Sequence, residues 1–240
     1  PPFEADPQFL ANYPSDQPGR EFAAMIEGMD HAVGLILTHL EMLGIAENTL
    51  VFFLGDNGSD YSSKPLRGKK AERFEGGTRV PFIVSWAKPS DSEIQSRWPI
   101  QAGTHHTESF GTILDLMPTI LNLTDTQAPE GYILDGYDLR AVHAGETKQT
   151  FLMHFPHKHR SSYFTTWHNG DWKLIYQYHS EPRLQLFNLA KDRSERNDLA
   201  EQNPELLQGM LSEMNNALKD SGALFPASQK LGESTQPHLD

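Results

Sequence analysis

The feature that most constrains this chain is an apolar run that stops without transition. Leu50-Val51-Phe52-Phe53-Leu54, entered through Thr49, has no polar face and breaks directly into Gly55-Asp56-Asn57-Gly58. A short run without alternation predicts a strand buried on both faces of a parallel sheet. Its abrupt end places two oxygen-bearing side chains at the carboxyl edge of that sheet, where α/β folds build their ligand sites. Asp and Asn are hard oxygen donors suited to calcium or magnesium, and with glycine they also build ordinary turns. An EF-hand loop does not fit, because the twelfth position counted from Asp56 is Arg67 rather than Glu.

The flanking sequence extends the same pattern. Residues 1–19 are rich in Pro and Gly and read as a surface connector. From Arg20 the periodicity is helical: Met25, Ile26, Met29, Val33, Ile36, Leu37, Leu40 and Leu43 fall at steps of three and four. Asp16 is placed to cap this helix and Gly44 to stop it. A polar loop over 58–79 leads into Val80–Trp86, a second strand whose Pro81 must sit near its start or on an edge. Thr112 to Leu123 reads as a short helix bent at Pro118.

After about Thr147 the chain predicts short strands at Phe151–His154, Ser162–Trp167, Asp171–Tyr178 and Leu184–Leu189, with Asn169-Gly170 as a hairpin turn. In the third of these, Trp172, Leu174 and Tyr176 alternate toward a core. Asn203-Pro204 opens a last helix with the stripe Leu206, Leu207, Met210, Leu211, Met214 and Leu218, ended by Gly222. Residues 223–240 read as a polar surface wrap or disordered tail. The expected class is α/β: part of a large mixed sheet flanked by helices over 1–146, then a small antiparallel sheet with one helix over 147–240.

Composition removes several functions. The 240 residues carry 20 basic and 32 acidic side chains, a net charge of −12, which excludes a nucleic-acid binder with a net basic face. With no cysteine there is no disulfide framework, thiolate zinc site or thiol nucleophile. The apolar runs are too short to span a membrane. Pro1-Pro2-Phe3-Glu4 lacks a basic flank and an apolar stretch, so these residues hold no signal peptide, and the missing initial Met points to a processed or partial chain.

A second segment carries chemistry. Leu66-Arg67-Gly68-Lys69-Lys70, followed by Phe74-Glu75-Gly76-Gly77-Thr78-Arg79-Val80-Pro81-Phe82, is dense in Arg, Lys and Gly within an acidic chain. Glycine lets backbone approach a ligand closely, and lysine there would neutralise an oxyanion; a solvated basic loop is the alternative. Of eleven histidines, His154, His157 and His159 cluster with Lys158 and Arg160. They form either a pocket for an anionic sugar or a sheet edge with ordinary hydrogen bonds. His105-His106 lacks a third ligand nearby in sequence and reads as structural.

Asp56-Asn57-Gly58, then Leu66-Arg67-Gly68-x-Lys70, then Glu75-Gly76-Gly77-x-Arg79-Val80-Pro81-Phe82, in that order, resembles the sulfatases that use a formylglycine nucleophile, arylsulfatase-like members of the alkaline phosphatase-like superfamily. Asp115-Leu116-Met117-Pro118-Thr119, His154-Phe155-Pro156-His157, Gly170–Ile175, Leu186–Leu189 and Asn197–Ala200 continue the likeness downstream.

The resemblance implies that Asp56 and Asn57 are calcium ligands and that Lys70, five residues before Glu75, is the catalytic lysine that contacts sulfate. Lys69 stands where the family usually has glycine. His154, His157 and Arg160 are the candidate substrate contacts, for a sulfated small molecule or polysaccharide. The family's nucleophile lies in a Cys/Ser-x-Pro-x-Arg motif that these residues do not contain, because Ser15–Arg20 has the wrong spacing. The chain is therefore expected to be the C-terminal part of a sulfatase, inactive without its N-terminal half and its formylglycine. The family suggests a periplasmic or secreted location. A phosphodiesterase or phosphonate hydrolase of the same superfamily, or a non-catalytic sugar-binding domain, would share the scaffold.

Overall fold

The computed structural model describes residues 3–107, 110–144, 146, 150–159, 163–226 and 237. Its elements are, in chain order, α1 (Pro7–Leu10), α2 (Arg20–Met42), β1 (Leu50–Leu54), α3 (Glu75–Thr78), β2 (Phe82–Trp86), α4 (Glu93–Ser96), α5 (Leu116–Leu123), α6 (Leu139–His143), β3 (Thr150–Phe155), β4 (Phe164–Asn169), β5 (Trp172–Gln177), β6 (Leu184–Asn188) and α7 (Pro204–Asp220). The α/β class with a small antiparallel sheet is as the sequence predicts. No helix among the described residues is long and apolar enough to cross a membrane.

Two compact units divide the chain: Pro1–Phe53 with Ile83–Thr104, and Leu54–Phe82 with His105–Asp240. In the first, α2 is packed by α1 on the side of Phe22, Gly28 and His31, where Phe9 lies 5.5 Å from the His31 ring and Phe3 5.7 Å from Phe22. The predicted apolar stripe does not become a buried face. Met25, Ile26, Met29 and Ile36 are 39–60% exposed, and Ala24 is the only buried residue of the helix. The cap differs too: Gly19, not Asp16, occupies the N-cap, without a side-chain bond. The buried amide of Gln95 fastens the rest, donating to the Glu47 and Lys88 carbonyls at 2.7 and 2.8 Å and accepting from the Ser90 N–H at 2.8 Å.

Among the described residues β1 pairs only with β2, and the pairing is not parallel. The Ala87 N–H donates to the Thr49 carbonyl and the Gly55 N–H to the Pro81 carbonyl, so the start of each strand lies against the end of the other. β1 is half-buried along its length rather than enclosed, with β2 as its one strand neighbour among the described residues. Pro81 stands just before β2, where no ladder donor is lost.

The second unit is built on the antiparallel meander β3-β4-β5-β6. Asn169-Gly170 makes the β4–β5 turn as predicted, with Gly170 at φ 55°. Alternation sorts β5. Leu174 and Tyr176 face α7 and join Trp167, Leu186, Met210, Leu211, Met214 and Leu218 in one core. Each fully buried Leu or Met there contributes about 1.5–3 kcal/mol. Ile175 points to the opposite face and packs with Phe74, Phe187 and Leu189. The sheet thus has α7 on one side and the 66–79 loop on the other.

Pro118 does not bend α5; it sits in the first turn, where its missing N–H is not needed. The motif around it is an anchor. Buried Asp115 accepts from the Thr112 N–H at 2.6 Å and the Tyr137 N–H at 2.7 Å, and the Thr119 hydroxyl accepts from the Leu139 N–H at 2.9 Å.

Candidate functional site

The candidate residues are brought together by backbone. The Gly58 N–H donates to the Gly77 carbonyl at 2.9 Å, the Lys70 N–H to the Ser59 carbonyl at 3.2 Å, and the Gly76 N–H to the Arg67 carbonyl at 2.7 Å. The Ser63 hydroxyl donates to the Gly76 carbonyl at 2.6 Å. Segments 55–59, 67–72 and 75–79 therefore interlock. Glycine is a steric requirement at two points. A Cβ on Gly58 would collide with the Gly76 carbonyl oxygen, and one on Gly76 with the carbonyls of Arg67 and Gly68. Ala71, next to Lys70, holds a left-handed φ of 69°, a conformation that costs non-glycine residues of order 1 kcal/mol and concentrates at functional sites.

On this knot Asp56 is exposed and Asn57 and Lys70 are half-buried. Neither the Asp56 carboxylate nor the Lys70 ammonium has a hydrogen-bond or ion-pair partner among the described residues. Asn57 turns its Nδ2 to the Gly58 carbonyl at 3.2 Å, which leaves Oδ1 as an available oxygen. An oxygen pair of this kind fits a hard divalent cation. Among the described residues no three His, Asp or Glu side chains converge on one metal position, so these two would supply only part of a shell. Arg67 and Arg73 add charge beside the knot, their guanidinium carbons 3.7 and 4.6 Å from the Phe74 ring centre.

Beneath the knot lies an ion network that sequence reasoning missed. Lys173 Nζ, fully buried on β5, is 2.9 Å from Glu75 Oε1 and 2.8 Å from Glu195 Oε1. Glu75 Oε2 takes the Arg79 Nε–H at 2.9 Å. Burial alone would raise the Glu75 carboxyl, but Lys173 and Arg79 outweigh it and hold it at about 2. Glu195 goes the other way: burial pushes it up against the pull of the shared lysine. His168, opposite Lys173 on β4, is brought down to about 4 by burial and then by the Lys173 charge. Lys173 alternates with the core residues Leu174 and Tyr176, so its place in the strand reads as solvent-facing. The signal against that was Ile175, an apolar residue on the same side.

The histidine segment is differently placed. Both His154 ring nitrogens are engaged, Nδ1 with the Thr165 hydroxyl and Nε2 with the Leu224 carbonyl, each at 2.8 Å. The ring lies between Tyr178 and Phe225. His157 is exposed, edge-on to Phe155 at 5.6 Å. Arg160 lies outside the described residues. His106 contacts His143 at 4.8 Å. Trp86, Trp98 and Trp167 are buried.

Comparison with known proteins agrees with the motif order. The family model described as Sulfatase matches residues 1–126. Human steryl-sulfatase is 30% identical over 218 residues, covering 72% of this chain and 35% of that protein. N-acetylgalactosamine-6-sulfatase of Rattus norvegicus is 36% identical over 146 residues, covering 58% of this chain and 25% of that protein. The chain thus spans about a third or less of the length of these curated relatives. The crystal structure of Ps i-CgsB in complex with k-i-k-neocarrahexaose superposes with a TM-score of 0.77 at 25% identity, over 90% of this chain and 47% of that one. The family model matches more than half of the residues, its relatives carry the same name, and the fold follows them: the chain belongs to the sulfatase family.

Proposed function

We propose that this chain contributes a calcium-ligand pair, Asp56 and Asn57, and a catalytic lysine, Lys70, to the hydrolysis of sulfate esters, as the C-terminal part of a longer sulfatase. The observation that carries this reading is the interlocked backbone of 55–59, 67–72 and 75–79, which displays on one knot a carboxylate and an ammonium that have no partner among the described residues. Elsewhere in the same unit, charges such as Glu75, Lys173 and Glu195 are paired in one network.

Sulfate ester hydrolysis needs charge held on the nonbridging oxygens and a proton delivered to the leaving oxygen. Lys70 suits either task, because its ammonium is both a point charge and a donor. At ~4 Å and an effective dielectric of ~20, such a charge pair is worth ~4 kcal/mol. A divalent cation, when bound, polarises the sulfate and acidifies a hydroxyl beside it. Asp56 and Asn57 Oδ1 would hold that cation from one side. The formylglycine belongs in the N-terminal half, which is this chain's principal partner. Residues 1–146 are read as the end of the catalytic α/β domain and 147–240 as the small C-terminal subdomain.

The substrate proposed is a sulfated carbohydrate, supported by the N-acetylgalactosamine-6-sulfatase likeness and the sugar complex of the structural neighbour. His157 and Arg160 are proposed as its contacts. His154 joins them only by giving up its bond to Thr165 or Leu224. A periplasmic or secreted setting follows from the same reading.

In the full-length enzyme, Lys70→Ala should lower kcat on an aryl sulfate by about 10²–10³-fold, the usual loss for one electrostatic group. An unchanged kcat overturns the assignment. Calcium takes about six to eight oxygens. The isolated 240-residue chain is therefore expected to bind it weakly and to hydrolyse nothing, and calorimetric titration showing micromolar affinity would count against the partial shell.

A further inference from the structure

Resting on the reading of Lys70 as catalytic, we propose that Glu195 is a positioning residue for it, acting through Glu75 and the ends of the 65–75 loop. Segment 194–195 grips that loop at three points on both sides of Lys70. The Ser194 hydroxyl donates to the Pro65 carbonyl at 2.9 Å. Arg67 Nη1 donates to the Glu195 carbonyl at 2.9 Å. The Glu75 N–H donates to Glu195 Oε2 at 2.6 Å. The other carboxylate oxygen of Glu195 meets Lys173, which ties the grip to β5, an inner strand of the meander.

Glu195 is wholly buried and holds φ 50°, the left-handed region that a non-glycine residue enters at a cost. A strained, buried carboxylate with a chain donor on one oxygen and a shared lysine on the other is poor stabilising chemistry in isolation, since desolvation offsets much of its attraction. Its geometric effect is larger. It fixes the first N–H of α3, and α3 carries Gly76 and Gly77, against which the Asp56–Asn57 and Lys70 segments are latched. Lys70, whose ammonium has no partner among the described residues, is aimed by this backbone. Displacing a reacting group by about 1 Å costs about 10²-fold in rate.

The test compares Glu195→Ala, Glu195→Gln and Lys70→Ala in the full-length enzyme, with para-nitrophenyl sulfate turnover and amide hydrogen exchange over residues 66–73. Glu195→Ala should lower kcat about 100-fold with KM within about threefold, and exchange in the loop should accelerate. Glu195→Gln keeps an acceptor for the Glu75 N–H and should stay within about fivefold of the parent, with the loop protected. Lys70→Ala should lower kcat about 10²–10³-fold and leave exchange unchanged. Should Glu195→Ala fold too poorly to assay, Ser194→Ala removes a milder strap, and a several-fold fall in kcat with faster loop exchange is expected. Full turnover in Lys70→Ala would bring down the catalytic assignment of Lys70 and this proposal with it. Full turnover in Glu195→Ala or Ser194→Ala beside an impaired Lys70→Ala, or a Glu195→Gln as impaired as the alanine, would bring down the proposal alone.

Discussion

Gly58 shows how tightly the candidate site is built at the scale of single residues. Its missing side chain is what lets the Asp56–Asn57 turn touch the Gly76 carbonyl. Gly58→Ala should therefore destabilise by about 1–3 kcal/mol, as overpacking does, a fall of roughly 3–10 °C in Tm for a chain of this size. Calorimetry on the variant checks this, and an unchanged Tm would show that the two segments are not in contact. At this scale the sequence was informative where chemistry was unusual for its context. Asp56, Asn57 and Lys70 stood out as oxygen donors ending an apolar run and a cation in an acidic chain, and backbone hydrogen bonds join the segments that carry them. Glu195 could not stand out. It is one acid among 32, and its partners lie 120 and 22 positions away, at Glu75 and Lys173.

At the scale of elements, the β4–β5 pair carries a pH-dependent liability. His168 has its affinity for protons lowered to about 4 from an ordinary 6.5. A group whose folded pKa is depressed contributes stability that is complete above the unfolded value and lost on acidification toward the folded one. Thermal stability should accordingly fall between about pH 6.5 and 4, by at most about 3 kcal/mol from this residue. Glu75, held at about 2, adds its own loss below about pH 4.5. Thermal melts of His168→Asn should show a shallower slope in the upper window; an unaltered slope would remove His168 as the cause. The meander was legible from its short strand runs and the Asn169-Gly170 turn, although β5 is buried on both faces. α7 was legible because it buries one face, so its stripe coincides with burial: Leu207, Met210, Leu211, Met214 and Leu218 are all buried. α2 misled for the opposite reason. Its stripe is real, but α1 packs the other side. The antiparallel β1–β2 pairing was equally hidden, since a buried strand has the same composition in either direction.

For the whole molecule, the exposed row Met25, Ile26, Met29 and Ile36 on α2 is an apolar surface of the kind that drives association. Sedimentation of the 240-residue chain should show self-association rising with concentration, reduced by Ile26→Glu with Met29→Glu. A strictly monomeric chain would contradict it. The buried Glu75–Lys173–Glu195 group also decides how members of this family can be recombined. Exchanging residues 147–240 between two sulfatases replaces Lys173 and Glu195 together but leaves Glu75 behind, and a donor with a neutral residue at the lysine position would strand an acid in the interior. Viable hybrids should be those whose parents match at this three-position lock, whatever their similarity elsewhere, and random shuffling should recover these positions as a set.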